Sequence, residues 1–234
     1  MNLKSGEIMY RYETHLHTSP VSKCARATVR ETLEFYKSKG YDGVFLTNHF
    51  LDGNINIDGS LPYEEKVKFY LSDYEEAKKL EAEIGIKVFF GVEISYGGTD
   101  FLIYGLDGDW YLSHPEIMDM KKSDELQFMR ENGAFVIQAH PYREAKYIDH
   151  IRLYPRSVDG VEVINSSNNE LSNSMAKLYA ENYGLLKTAG SDNHSAGNVG
   201  RLAGMETSES INSVQDFIDI IKSGKAAIFC EENK

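Results

Sequence analysis

Cysteine is scarce in this chain of 234 residues, which has only Cys24 and Cys230. Two thiols near opposite ends of a sequence do not form the disulfide framework that stabilises many small secreted proteins. We therefore expect a reducing compartment, the cytoplasm, as the location of the protein.

Long apolar runs and an excess of positive charge are also missing. No apolar run approaches the ~20 residues that a membrane-spanning helix needs, and residues 1–10 lack the apolar segment of a secretory signal. We therefore expect no membrane partner. The 36 Asp and Glu residues outnumber the 25 Lys and Arg residues, which gives a net charge of −11. This charge argues against polynucleotide binding, which depends on basic side chains that neutralise phosphates.

Strand-like apolar runs alternate with helical patterns along the whole chain, which is 41% hydrophobic. Such alternation is typical of a parallel α/β sheet or barrel, and single-domain α/β barrels commonly have about this length. Thr28 and Glu31 have the spacing of a capping box at the start of one helix. Apolar residues three and four positions apart predict another helix over residues 63–84. Because no linker or low-complexity segment interrupts the pattern, we expect one domain over residues 1–234.

Two histidines, His15 and His17, lie two residues apart at the end of the first predicted strand. Residues i and i+2 of an extended chain point to the same side, so both imidazoles can face one point. Imidazole is the commonest metal ligand, and two converging rings supply half of a four-coordinate zinc site. The pair therefore indicates a metal site.

Further ligand-type residues follow other buried strand patterns. They are His49 after the run 43–46, Glu93 after 87–92, His140 after 134–137, and Asp192 and His194 after 185–189. The carboxyl ends of parallel strands are where α/β folds place their sites. An unpaired carboxylate is costly in apolar surroundings, so Glu93 is expected to face a basic side chain or a metal ion. Asp100 starts the next strand, where it fits either a ligand or a turn residue.

Together these side chains supply more ligand atoms than one tetrahedral ion uses. A carboxylate such as Glu93 can bridge two ions, so a cluster of two or three divalent metals is the economical interpretation. Two-metal sites are typical of phosphoryl-group hydrolysis.

The motifs His-x-His-Thr, Thr-Asn-His, Gly-Val-Glu, Ala-His-Pro and Gly-Ser-Asp-Asn-His resemble those of the PHP (polymerase and histidinol phosphatase) family over nearly the whole chain. The resemblance implies a distorted (β/α)7 TIM-like barrel with three metal ions, of zinc, manganese or iron. It places His15, His17, Glu93 and Asp192 at the first ion, Glu93 and His140 at the second, and His49 and His194 at the third.

The chain departs from the common PHP pattern at three places. Asn48 stands where an Asp is usual, and no Asp or His ligand for the third ion occurs near Ser22. The family often has a histidine ligand of the second ion near Leu102. We expect Asp100 to replace it.

The resemblance also implies the hydrolysis of a small phosphate ester by a metal-activated hydroxide. The expected catalytic residues are Glu93, His194 and Arg143. Arg143 is included because it follows His140 closely enough to neutralise the charge of a phosphoryl group. The expected substrate-binding residues are Arg143, Arg201, Lys23 and Arg26. No covalent nucleophile is needed, so Cys24 is interpreted as incidental. Two alternatives remain open: an amidohydrolase-like C–N hydrolase and a non-catalytic metal-binding domain.

Overall fold

The computed structural model describes residues 9–234, in which ten strands and six α-helices occur. The strands are β1 (Tyr10–Leu16), β2 (Gly43–Leu46), β3 (Lys87–Phe90), β4 (Val92–Tyr96), β5 (Thr99–Tyr104), β6 (Phe135–Ala139), β7 (Gly160–Asn165), β8 (Leu186–Gly190), β9 (Arg201–Thr207) and β10 (Ala227–Glu232). The helices are α1 (Val29–Ser38), α2 (Tyr63–Ile84), α3 (Gly108–Ser113), α4 (Lys122–Glu131), α5 (Glu170–Tyr183) and α6 (Val214–Lys222), with a short 3-10 helix at Pro115–Asp119.

The strands form two five-stranded sheets, in the orders β10-β9-β1-β2-β3 and β4-β5-β6-β7-β8. Pairing is parallel from β1 to β3 and from β6 to β8, whereas β9, β10 and the β4–β5–β6 segment pair antiparallel. The mixed α/β class expected from the sequence is confirmed. The strands of residues 9–234 pair into two separate sheets, so the closed barrel that the resemblance implies is not seen.

The change of sheet occurs at Gly91, the single residue between β3 and β4. A Cβ at this position would lie 2.8 Å from the Cγ2 of Thr47, so only glycine fits without a shift of that side chain. Two isolated parallel bridges join the sheets: Leu16 of β1 pairs with Asn193, and Glu93 of β4 pairs with His49. The carboxyl ends of the parallel strands of both sheets therefore meet at one place.

Local sequence signals explain the helix boundaries. The predicted capping box is present at the start of α1: Thr28 accepts a hydrogen bond from the Glu31 backbone, and the Glu31 carboxylate accepts one from the Thr28 backbone. The helix predicted over 63–84 is confirmed as α2, which ends at Gly85 in the left-handed conformation (φ 75°). None of the described helices combines the length and the apolar composition that a membrane crossing requires.

Burial of the strands positions the site. β2 and β6 are buried along their whole length, as is usual for strands covered on both faces. Side chains such as Phe45, Tyr104 and Phe217 fill the space between the strands and α6. Polar functional groups are therefore concentrated at the strand ends and in the loops that follow them.

Candidate metal centre

The histidine pair of the first strand converges as its spacing predicts. His15 lies in β1 and His17 directly follows it, and both side chains are fully buried. Their Nε2 atoms are 3.2 Å apart. At this distance the two nitrogens can share one proton between them. If both are unprotonated, their lone pairs are free to bind a metal ion.

Glu93 in β4 lies at the centre of the cluster and is 1% exposed. Its Oε1 is 3.1 Å from His15 Nε2 and 3.4 Å from His140 Nε2, and its Oε2 is 2.6 Å from His49 Nδ1 and 3.4 Å from His17 Nε2. Each carboxylate oxygen thus faces a different pair of imidazoles. This is the geometry of a carboxylate placed to bridge two ions.

Asp192 and His194 reach the same centre from the loop after β8. Asp192 Oδ1 is 3.5 Å from His15 Nε2 and 3.3 Å from His17 Nε2. The His194 ring stacks on the His17 ring with a centroid separation of 4.2 Å. Asp192 (φ 52°) and His140 (φ 27°) both adopt left-handed backbone conformations that are costly for non-glycine residues. Such strain is commonly retained where a side chain must be aimed at a site.

Four overlapping groups of side chains have ligand atoms within 4.8 Å of one another: His15, His17 and Glu93; His15, His140 and Asp192; Glu93, Asp100 and His140; and His17, His49 and His194. All eight residues expected as metal ligands therefore lie in one cluster. Asp100 belongs to β5 rather than to a turn, and its Oδ2 is 3.8 Å from His140 Nε2.

The donor set fits divalent metal ions. Glu93 Oε2, His49 Nδ1 and His140 Nε2 are buried and make no hydrogen bond of acceptable geometry, although the first two atoms lie 2.6 Å apart. Buried polar atoms without a partner cost roughly 1–3 kcal/mol each, and bound cations would remove that cost. Imidazole nitrogens and carboxylate oxygens are suitable ligands for zinc, manganese and iron.

The electrostatics of the cluster also favours cations. Burial alone would raise the pKa of Glu93, but His49, His15 and His17 together lower it well below its ordinary value. Burial, assisted by His194 and His49, lowers the pKa of His17 well below its ordinary value. Glu93 is therefore ionised and His17 is neutral, as metal binding requires. Burial alone would lower the pKa of His15 and of His49, but the carboxylates beside them raise it well above its ordinary value, so a metal ion would displace protons from these two rings.

Sequence reasoning missed Glu162, a fully buried residue of β7 behind His15. Its Oε1 is 2.9 Å from His15 Nδ1, and its Oε2 accepts hydrogen bonds from the His140 backbone at 3.1 Å and from Asn165 Nδ2 at 2.9 Å. A carboxylate on the second nitrogen of a ligating imidazole fixes its tautomer and orientation. The signal in the sequence was a glutamate between two valines of a buried strand, Val161 and Val163.

We predict that Glu162→Gln weakens metal affinity roughly 10 to 100-fold, the usual effect of changing such a supporting partner. The isosteric amide keeps the volume of the side chain but removes the charge that orients His15. Competition with a chelator measures the affinity. The matched control is Glu76→Gln on the exposed face of α2. An unchanged metal affinity in Glu162→Gln would mean that the Glu162 carboxylate has only a structural role.

Gly190 allows the His15–Glu162 contact. A Cβ here would lie 2.5 Å from His15 Cβ and 2.8 Å from Glu162 Oε1. The glycine of the Gly-Ser-Asp-Asn-His motif is therefore a requirement of close packing against the first ligand.

The sequence departures near the first motif have structural roles. Asn48 Oδ1 accepts hydrogen bonds from the Thr18 backbone at 2.7 Å and from Ser22 Oγ at 2.8 Å, and Asn48 Nδ2 donates to Asp73 of α2 at 3.1 Å. Ser22 Oγ also lies 3.3 Å from His17 Nδ1. Asn48 thus anchors the loop after β1, and Ser22 leaves the Nε2 of His17 directed at the cluster.

The four expected substrate-binding residues lie in different places. Arg143 is at the cluster, where its Nη2 contacts Asp192 Oδ2 and its Nε donates to Asn168 at 3.2 Å. Lys23 and Arg26 are exposed on the loop after β1. The Arg201 side chain is directed to β10, with Nη2 3.1 Å from Cys230 Sγ and Nε 3.8 Å from Glu232. Its expected place at the substrate is therefore not supported, because its position on β9 directs the guanidinium towards β10.

Part of the sequence and the overall fold are similar to those of known proteins. Residues 170–226 match the family model described as PHP-associated. The fold is similar to that of a two-domain protein from Bacteroides vulgatus containing a predicted PHP-like metal-dependent phosphoesterase, with a TM-score of 0.65 at 16% identity over 96% of this chain and 66% of that one.

Residues 170–226 are thus similar to PHP-associated sequences, and the whole chain shares the fold of PHP-like structures.

Two other solved structures are similar to this chain in fold. One is a proposed metal-dependent phosphoesterase from Bifidobacterium adolescentis, with a TM-score of 0.55 at 15% identity over 90% of this chain and 95% of that one. The other is an amidohydrolase from Chromobacterium violaceum, with a TM-score of 0.52 at 15% identity over 93% of this chain and 97% of that one.

An uncharacterised protein of Methanocaldococcus jannaschii is a relative in sequence. It is 28% identical to this chain over 137 residues, which are 58% of this chain. The match spans 66% of the relative, slightly less than two thirds of its length.

Proposed function

We propose that this protein is a metal-dependent phosphoesterase of the PHP type that hydrolyses a small phosphate ester. The observation that carries the proposal is the position of Glu93, whose two oxygens face different imidazole pairs in a buried cluster with unpartnered ligand atoms. Two or three divalent ions held there would neutralise phosphoryl charge and lower the pKa of water to roughly 7.

The residues of the chain divide into holding and binding roles in this proposal. His15, His17 and Glu93 hold the ions in place, while Glu162 keeps His15 in the tautomer that presents Nε2. Arg143 binds a phosphoryl oxygen, because its guanidinium already lies beside the Asp192 carboxylate at the cluster. Lys23 and Arg26 attract the anionic substrate from the exposed loop.

The proposal extends to the architecture and the location. The bridges Leu16–Asn193 and His49–Glu93 connect the two sheets, which supports a description of the sheets as halves of a distorted barrel. Both cysteines are free, which is consistent with a cytoplasmic protein.

A substrate panel tests the proposed reaction. Protein loaded with zinc, manganese or iron, and the same protein after chelation, would be assayed with phosphomonoesters, phosphodiesters and amides. We expect hydrolysis of at least one phosphate ester that chelation abolishes and metal restores. Hydrolysis of amides alone would favour the amidohydrolase alternative, and no hydrolysis with a fully loaded site would favour a non-catalytic metal-binding domain.

A further inference from the structure

A groove with a volume of about 520 Å³ opens beside α5, away from the metal centre. Three strands contribute to its walls, with Lys187 of β8, Arg201 of β9 and Ile228 of β10. Sites for small organic ligands typically have volumes of roughly 300–1,000 Å³. The groove is therefore large enough for such a ligand.

Strand β7 separates this groove from the metal centre. Glu162 of β7 faces His15. The next residue, Val163, lines the groove and packs in a cluster with Ala176 of α5. Successive residues of a strand point to opposite faces, so the groove and the metal centre lie on opposite sides of β7. None of the eight expected metal ligands is among the described residues that line the groove.

The topology of the chain leaves this place uncovered. Helices α1, α2 and α5 each connect a strand to its parallel neighbour. Residues 191–200, which connect β8 to β9 and are all described by the structure, contain no helix. Without a covering helix, Ile164 and Ile228 remain only half-buried in the groove. Part of the groove surface is therefore apolar.

Basic side chains predominate among the charged residues of the groove. Lys177, Lys187 and Arg201 line it together with one carboxylate, that of Glu170. Basic residues are the minority in this chain, whose net charge is −11. Three cations at one groove therefore create a local positive potential on an acidic protein, and such a potential attracts anions.

The carboxylates that now lie near these cations are exposed. Glu181 follows Lys177 by four positions in α5 but pairs with Lys187, at 2.8 Å, and its side chain is 45% exposed. Glu232 lies 3.8 Å from Arg201 and its side chain is 69% exposed. Exposed ion pairs contribute little to stability. An anion in the groove can therefore replace these pairs at little cost.

We propose that the groove binds a small organic anion that carries a carboxylate or phosphate group on an apolar body. The anionic group contacts Lys177, Lys187 and Arg201. The apolar body packs against Ile164 and Ile228. This inference is independent of the reaction proposed for the metal centre, and it assigns Arg201 to a different anion site from the one expected from the sequence.

The fluorescence of anilinonaphthalene sulfonate, an anion with an apolar aromatic body, tests the groove. We expect saturable binding to the wild-type protein. Phenylnaphthylamine has the same rings without the sulfonate and should bind at least about 10-fold more weakly. Lys177→Ala and Arg201→Ala should each weaken binding of the sulfonate roughly 10-fold, because each removes a charge-assisted contact. Ser174→Trp should abolish binding, because Ser174 lines the groove and the indole would fill it.

Two control variants change residues outside the groove. Lys79→Ala removes an exposed lysine of α2, and Leu171→Ser removes an apolar side chain of α5 that is 71% exposed. Neither residue lines the groove, so both variants should bind the dye like the wild type. The thermal unfolding midpoint of each variant verifies that it is folded.

Competition identifies the anionic group of the ligand. Octanoate and octylphosphonate are expected to displace the dye, and the stronger competitor indicates whether a carboxylate or a phosphate is preferred. Octanol and inorganic phosphate should each displace it at least about 10-fold more weakly, because each lacks one half of the proposed ligand. Displacement by octanol as strong as that by octanoate would contradict the role of the cations.

The remaining outcomes concern the groove as a whole. No saturable binding to the wild type would overturn the proposal. Unchanged binding in folded Lys177→Ala, Arg201→Ala and Ser174→Trp would also overturn it, because the dye would then be bound elsewhere. The metal content of these variants should equal that of the wild type, so failure of this proposal would leave the Glu93 centre standing.

Discussion

Glu93→Gln is expected to lower the rate of phosphate-ester hydrolysis about 1,000-fold or more, which corresponds to a loss of at least about 4 kcal/mol of transition-state stabilisation. The amide keeps the shape of the side chain but removes the charge shared by four imidazoles, so the ions lose their common ligand. We expect less bound metal in the same sample. Steady-state kinetics with elemental analysis of the assayed protein measures both effects.

A matched substitution controls for the loss of a buried carboxylate. Glu125 in α4 is also buried, but it pairs with Lys122 at 2.6 Å and is absent from the metal-ligand groups of the described residues. Glu125→Gln should keep its metal and its rate within a few-fold. If Glu93→Gln lost metal but kept the wild-type rate, the bridging role of Glu93 would be wrong.

Arg143→Ala is expected to reduce kcat/KM roughly 10 to 1,000-fold, or about 1.4 to 4 kcal/mol, by removing one charge-assisted contact to the reacting group. The metal content should stay unchanged, because Asp192 Oδ1 still faces His15 and His17 after its partner at Oδ2 is removed. Kinetics and metal analysis of one preparation test the two statements together.

Two further variants define the role of this guanidinium. Arg143→Lys should recover only part of the lost kcat/KM, because an ammonium group cannot form the two-pronged contact of a guanidinium. Arg30→Ala is the control, since Arg30 is an exposed arginine paired with Glu83 and Glu34. Normal kcat/KM in Arg143→Ala with normal metal content would remove Arg143 from the site and direct attention to Lys23 and Arg26.

Periodicity and strand ends were sufficient to predict most of the cluster. The i, i+2 rule placed His15 and His17 on one side of β1, and the buried runs before His49 and His140 placed these rings at strand ends that meet in space. These predictions depend on local geometry. They hold because a strand has only two faces and a parallel sheet has one carboxyl edge.

The remaining features depend on contacts between distant segments, which a single sequence does not define. Glu162 and His15 are 147 positions apart, and only the packing at Gly190 brings them to 2.9 Å. Arg201 follows the last motif closely in sequence, yet β9 directs its side chain to Cys230 on β10.

Local sequence patterns also do not predict the division of the strands into two sheets. The runs 87–92 and 100–105 each predict a strand, but periodicity does not specify that β4 and β5 pair antiparallel. Gly91 lets the chain leave one sheet and enter the other within one residue. The sequence therefore predicts a uniform alternation of strands and helices, whereas in the structure the chain passes from one sheet to the other at Gly91.

Metal content tests the central claim most directly. The ligand groups that overlap at Glu93 predict at least two divalent ions per chain in protein purified without chelators, as measured by elemental analysis. The same preparation of Glu93→Gln should contain markedly less metal, and that of Glu125→Gln should contain as much as the wild type. Less than one transition-metal ion per wild-type chain, even after incubation with zinc or manganese, would contradict a shared metal centre at the strand ends.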